Sequence, residues 1–350
     1  MKKYTFSFLS VACALLAVSC SNDKDLYSPE EVNTTIENFL TTKDVTVTVP
    51  SGKVAVVHMG LDTLAVSDET TEVVEPKGIT PTVDFYDVAT SSPTSRGVDQ
   101  ANSLAAGNSQ QLWQVIAFED SKTGDKDYND LIIHPKYILD KKAKTLFIGV
   151  HPVALGATKS FGLGCEVYVN GTLVQEYSID NVRKDLFLDA DGTDYINTRS
   201  YNRHYDGYTW GQTLTGITVS SLANISVAWY ITVDRGEKIY ALNKTKIKEV
   251  DMIDSSGYPY ALVLTGVSVN GHLQGKIKCG YDWFRYPMEG VSIDKCYNLT
   301  KWAQTGNGTC LESYIIDGAE VFDVDEYHFD ASNGRIYTVS VPYHLVTTWE

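Results

Sequence analysis

Glu119, Asp120, Asp125, Asp127, Asn129 and Asp130 place six side-chain oxygen donors within twelve residues, between apolar runs that end at Phe118 and begin again at Leu131. Carboxylates this crowded repel one another unless water, backbone amides or a cation offsets their charge. Calcium is the cation that suits such a donor set, because it takes six to eight oxygens from carboxylates, amide carbonyls and backbone. Asp125, Asp127 and Asn129 have the i, i+2, i+4 spacing that wraps oxygens round one centre, and Asp120 and Asp130 are placed to close it. The stretch is not an EF-hand. Counted from Asp125, position six is Asp130 where that loop needs Gly, and position twelve is Lys136 instead of Glu. His134 is the one imidazole nearby, which disfavours zinc or copper. The competing reading is turn chemistry, in which Asp and Asn side chains accept backbone N–H groups without any ion.

No other stretch names a reaction. The chain has no Gly-x-Ser-x-Gly elbow, Walker loop, His-Glu-x-x-His or Gly-x-Gly-x-x-Gly motif. The seven His residues are scattered, and two of them, His134 and His151, precede Pro, which reads as strand-end geometry. A glycosidase needs two carboxylates at a set separation, and among 44 acidic residues no pair stands out. A hydrolase of extracellular glycans is therefore the weakest expectation, and no catalytic residue is assigned. Asp189–Asp194 reads as an acidic β-turn. Tyr201–Trp210, with four aromatic rings, reads as a surface loop or a stacking surface for sugar or protein. The ligand itself is unknown at this level.

Around these residues the pattern is that of strands. A helix is expected from about 29 to 41, capped by Ser28 and Glu31, with Val32, Ile36, Phe39 and Leu40 on one face. From Asp44 the apolar period becomes two, giving a small β-unit over 44–98, and 89–110 reads as a loop. Beyond it, short alternating runs continue to the end. Asn170-Gly171 between Val169 and Leu173 is a type I′ hairpin signal. A short helix over Lys295–Ala303 would bury Leu299 and Trp302, while Tyr281, Trp283, Phe284 and Tyr286 read as core. Alternating β–α units are absent, so the expected fold is all-β: an antiparallel, jelly-roll-like β-sandwich with a small N-terminal β-unit and one short N-terminal helix.

Residues 1–19 read as a signal peptide, with basic Lys2 and Lys3, an apolar run from Phe6 to Val18, and small residues before Cys20. That ending resembles a bacterial lipoprotein signal, so Cys20 is the expected lipidation site and 20–43 an acylated tether followed by the helix. The partner this implies is a membrane, reached through the lipid, at the outer membrane or cell surface. A surface protein or glycan is the further expected partner. A formal charge of −15 argues against nucleic acid, whose phosphates need clustered Lys and Arg. Cys165, Cys279, Cys296 and Cys310 remain for disulfides, with three connectivities open.

Three blocks stand in order along the chain. The first is Phe118, Glu119 and Asp120 followed by Gly124, Asp125, Asp127, Tyr128, Asn129 and Asp130. The second is Val182–Lys184 with Tyr195–Thr198. The third is Phe284–Ile293 with Tyr297, Trp302 and Ala303. Together and in this order they resemble the LruC-domain family of exported bacterial proteins, a resemblance that implies an exported β-domain over 99–350 and no particular reaction. Ser95-Arg96, in the expected loop, resembles the processing site of surface-fibre precursors, so a fibre or adhesin subunit is the alternative to a binding or structural module.

Overall fold

The computed structural model describes residues 36–59, 62–78, 80–88, 108–187, 210–243, 252–266, 287, 289–305, 311–319, 326–330 and 335–339. Cys20, Arg96, Cys279, Cys310, Asp189–Asp194, Tyr281–Tyr286 and all of the aromatic stretch except Trp210 lie outside them. Of the expected N-terminal helix, the described part is one turn, α1 (Ile36–Phe39).

The first five strands are β1 (Thr42–Val47), β2 (Lys53–Met59), β3 (Asp62–Ser67), β4 (Thr71–Pro76) and β5 (Thr82–Asp87). Then come β6 (Ser109–Phe118), β7 (Leu131–Asp140), β8 (Thr145–Ala154), β9 (Gly162–Val169), β10 (Thr172–Ile179), α2 (Val182–Leu186), β11 (Trp210–Thr215), β12 (Ile225–Thr232), β13 (Lys238–Tyr240) and β14 (Ala261–Gly266). The helix α3 (Leu299–Thr305) and the hairpin β15 (Glu326–Asp330) and β16 (Arg335–Val339) follow. An eight-stranded sheet runs β11-β8-β7-β6-β3-β2-β5, with β14 also paired to β6, and a four-stranded sheet runs β10-β9-β12-β13. Pairing is antiparallel throughout, and the two sheets form the sandwich. β2, β3 and β5 of the N-terminal β-unit join the large sheet through Ala65 opposite Gln110.

The Asn170-Gly171 turn closes β9 onto β10 as its residues dictate. Both have positive φ, 49° and 76°, which is the type I′ geometry that matches strand twist. In α3, Leu299, Trp302 and Ala303 are buried, and Trp302 meets Phe39 of α1 with ring centroids 6.1 Å apart.

The His-Pro pairs differ from the sequence expectation. His134-Pro135 and His151-Pro152 lie inside β7 and β8, and His134 stands opposite His151. A proline has no N–H to give a ladder. The β6–β7 ladder lapses there, between the Trp113–Lys136 and Ile116–Ile133 pairs. The β7–β8 register shifts between Ile132 and Ile133, next to Pro152. The gaps are what allow proline in central strands.

Inward-facing residues from both sheets build one core. Cys165 of β9 contributes a free, fully buried thiol opposite Trp229 of β12. Trp210 turns inward as well, edge-on to Trp229 at 6.1 Å and to Tyr177 at 5.8 Å, so it fills core space. A polar chain crosses this core. The Trp229 indole N–H donates to the Tyr137 hydroxyl at 2.7 Å, which donates to Gln114 Oε1 at 3.0 Å. Gln114 Nε2 donates to the Thr265 hydroxyl at 3.3 Å, which Thr41 also reaches at 2.9 Å. Tyr137→Phe leaves a buried donor and a buried acceptor unmatched, so it should lower unfolding free energy by about 1–3 kcal/mol in urea titrations. An unchanged midpoint would show that the chain carries no stability.

Candidate cation site

The connection from β6 to β7, residues 119–130, winds around one carboxylate. Glu119, 3% exposed, accepts the Tyr128 N–H on Oε1 at 2.6 Å and the Lys126 N–H on Oε2 at 3.1 Å. The two amides reach the same side chain because Lys126 (φ 63°) and Tyr128 (φ 55°) are both left-handed. That conformation costs a non-glycine residue roughly 1–2 kcal/mol. Burial of Tyr128 helps offset it: its ring is fully inside the core and its hydroxyl donates to the Pro259 carbonyl at 2.5 Å. Lys126 lies over the Tyr258 ring and pairs with Asp254 at 2.7 Å. At Gly124 a Cβ would stand 2.2 Å from Glu119 Oε2, so a side chain there would push the buried carboxyl off its amides.

The remaining acids fall into two groups that share Asp127. Glu119, Asp127 and Asp130 bring carboxylate oxygens within 4.8 Å of one another, and so do Asp125, Asp127 and Glu289. Asp120 belongs to neither. It pairs with Lys159 at 3.1 Å, and its N–H donates to Asp130 Oδ2 at 2.7 Å. Asn129 contributes an amide. Its Nδ2 donates to the Pro287 carbonyl at 3.4 Å, while its Oδ1 is buried with no hydrogen-bond partner.

Glu289 was not legible in the acidic stretch because it lies 159 residues beyond Asp130. Its neighbours explain its arrival. The Gly290 N–H donates to Asp127 Oδ2 at 2.8 Å and the Ile293 N–H to the Lys126 carbonyl at 2.7 Å, so this segment is laced to the loop. On the other flank, the Gly156 and Ala157 amides donate to the Asn129 and Asp130 carbonyls at 3.0 and 3.3 Å. The Phe-Arg-Tyr-Pro-Met-Glu-Gly block held the signal, since its Glu-Gly pair is the part that docks here.

A second charged cluster, on the outer face of the four-stranded sheet, is satisfied within itself. Lys238 pairs with Glu176 at 2.7 Å and Glu166 at 3.2 Å, and Tyr168, Tyr230 and Tyr240 donate to the same carboxylates. A cavity of ≈ 80 Å³ lies between the sheets, bounded by Phe39, Leu112, Ile116, Trp229, Val263 and other residues. Among its described lining residues there is no carboxylate, imidazole or thiol.

No protein-family model matches the chain, and no curated protein does. A crystal structure from Bacteroides ovatus, named as a lipoprotein, aligns over 81% of this chain and 93% of its own with 12% identity and a TM-score of 0.39. A likeness of that size carries no weight for fold or role. No helix among the described residues is long and apolar enough to cross a membrane.

Burial dominates the electrostatics of the loop. It pushes the Glu119 carboxyl up to about 9 against the two amide hydrogen bonds, with Asp130 and Asp127 adding repulsion. Asp127 and Asp130 are each raised to about 7, again first by burial. Such groups hold protons in the folded state that the unfolded chain has released, so stability is greatest below the unfolded values and falls as pH rises through the folded ones. In EDTA the melting temperature should therefore drop between about pH 4.5 and pH 9, the window set by Glu119. Glu119→Gln should flatten the upper part of that slope. A flat profile for the parent chain would show that these carboxyls are not desolvated.

Proposed function

We propose that this chain is an exported, lipid-anchored β-sandwich of the LruC-domain type that serves as a non-catalytic binding or structural module at the cell surface, with calcium held by its acidic loop. The observation that carries the calcium reading is Asn129. Its amide oxygen is 3% exposed as a residue, has no donor, and sits beside carboxylates that already raise one another's charge cost. A buried acceptor without a donor is costly, and more acceptors around it cannot help. A hard cation with oxygen ligands satisfies all of them at once. The donors available are Glu119, Asp120, Asp125, Asp127, Asn129 and Asp130.

The rest of the reading comes from the sequence. Cys20, after its apolar leader, is the anchor, and the net charge of −15 suits an extracellular surface. The three blocks that resemble LruC-domain proteins support the family. Described parts of two of them meet at the loop: the acidic block itself, and Pro287, Glu289 and Gly290 of the third. The sequence carries none of the familiar catalytic motifs, and the reading proposed is binding or scaffolding. The partner is a surface protein or a glycan.

Two measurements test these points. Thermal unfolding in millimolar calcium should exceed that in EDTA, by about 2–3 kcal/mol if the dissociation constant is a hundredfold below the calcium concentration. Asp125→Ala and Asp127→Ala should each remove the difference. An equal melting temperature in both buffers would reduce the acidic stretch to turn chemistry. Separately, Cys20→Ser should move the chain from the membrane to the soluble fraction of cells, and a variant that still sediments with membranes would refute the anchor.

A further inference from the structure

We infer that the ion is bound by Asp125, Asp127, Asn129 and Glu289, so that it clasps the β6–β7 loop to the distant turn at Glu289-Gly290, while Glu119 and Asp130 shape the loop without touching the metal. This rests on the calcium reading above and decides between the two groups that share Asp127.

Glu119 and Asp130 are committed to the loop's own amides. Both Glu119 oxygens accept amides that the left-handed residues Lys126 and Tyr128 deliver, and Asp130 Oδ2 accepts the Asp120 amide. These bonds define the path of the loop, and turning those oxygens toward an ion would undo it. What separates the Glu289 group is the buried amide oxygen beside it. Asp127, shared by both groups, accepts one amide per oxygen as Glu119 does, from Asn129 at 3.2 Å and from Gly290 at 2.8 Å, and keeps a second lone pair on each. Asn129 Oδ1 accepts none. Its orientation is set, because rotating the amide would turn Oδ1 toward the Pro287 carbonyl that Nδ2 now contacts.

Gly156 shows where these oxygens point. A Cβ on Gly156 would lie 2.3 Å from Asn129 Oδ1 and 2.9 Å from Glu289 Oε2. Both oxygens therefore converge on the same point beside Gly156, a closeness that only a residue without a side chain permits. Calcium binds oxygen at about 2.3–2.6 Å, so oxygens on one ion stand up to about 5 Å apart. The Asp125, Asp127 and Glu289 oxygens, within 4.8 Å of one another, meet that limit. Asp125 and Glu289 are exposed while Asp127 and Asn129 are buried, which gives the ion an entry side and leaves room for water in its shell. Four protein ligands, three of them anionic, plus water suit calcium in an extracellular fluid.

The test is calorimetric titration of calcium chloride into the purified full chain and into Glu289→Gln, Asp130→Asn and Asp125→Asn variants. Melting temperatures in EDTA establish that each variant is folded. Glu289 is exposed, so its variant should melt in EDTA like the parent while binding calcium at least tenfold more weakly, as should Asp125→Asn. Asp130→Asn should keep affinity within about threefold. Parent-like affinity in Glu289→Gln together with loss in Asp130→Asn would overturn the assignment and leave the calcium reading standing, with the ion in the other group. If the parent chain takes up no calcium, both fall together.

Discussion

The fold around the acidic loop depends on one buried carboxylate. Glu119 sits at the end of β6 where water cannot reach it, and the chain that follows curls so that two of its amides face it. That curl requires left-handed backbone at Lys126 and Tyr128 and a bare Gly124. Once those conditions are met, the directions of the side chains between them are no longer free. Asp125, Asp127 and Asn129 alternate with the residues that serve Glu119, and they meet the rest of the chain at Gly156 and Gly290: Asn129 Oδ1 lies beside Gly156, and Asp127 accepts the Gly290 amide. The spacing of two that suggested a coordination sphere is thus also the spacing of a backbone wrapped round a buried carboxyl group.

The loop is held at both ends by the sandwich. Tyr128 roots it in the core, and Lys126 is stacked and paired at its outer turn. The region resembles a socket built from three separate parts of the chain: the loop, the end of β8 with Gly156, and the segment at Glu289. The latter two each donate backbone N–H groups to the loop. Cooperation of that kind makes the acidic side chains tolerable where isolated burial would not.

Much of this was legible in the sequence and some was hidden by physical necessity. The strand period, the Asn170-Gly171 turn and the helix carrying Leu299 and Trp302 are local signals, and local signals survive folding. The acidic stretch announced itself by composition. Its division of labour did not, because whether a carboxylate faces an amide or an ion depends on backbone angles that Lys126 and Tyr128 adopt against their own preference. Glu289 was beyond reach for a different reason: contacts across 159 residues leave no trace in spacing. Gly156 carries no signal of its own in the sequence, and its role follows only from what would collide with a side chain there. The prolines misled in the opposite direction. They read as strand ends because central strands rarely admit them, and the interrupted ladder that admits them is a tertiary fact. The lipidation signal and the processing site belong to residues that the structure does not describe.

Those interruptions bear on how the large sheet finds its alignment. A strand slipped by one residue against its neighbour would turn its apolar face outward. Here it would also bring Pro135 or Pro152 against a carbonyl that expects an amide. Each proline fits only where the ladder lapses or shifts, and the two lie in adjacent strands next to the paired His134 and His151. They therefore act as registration marks, penalising misaligned pairings while the sheet is still assembling. The same marks fix how far along β7 and β8 the neighbouring chain ends can stand, and so where the socket's walls come to rest.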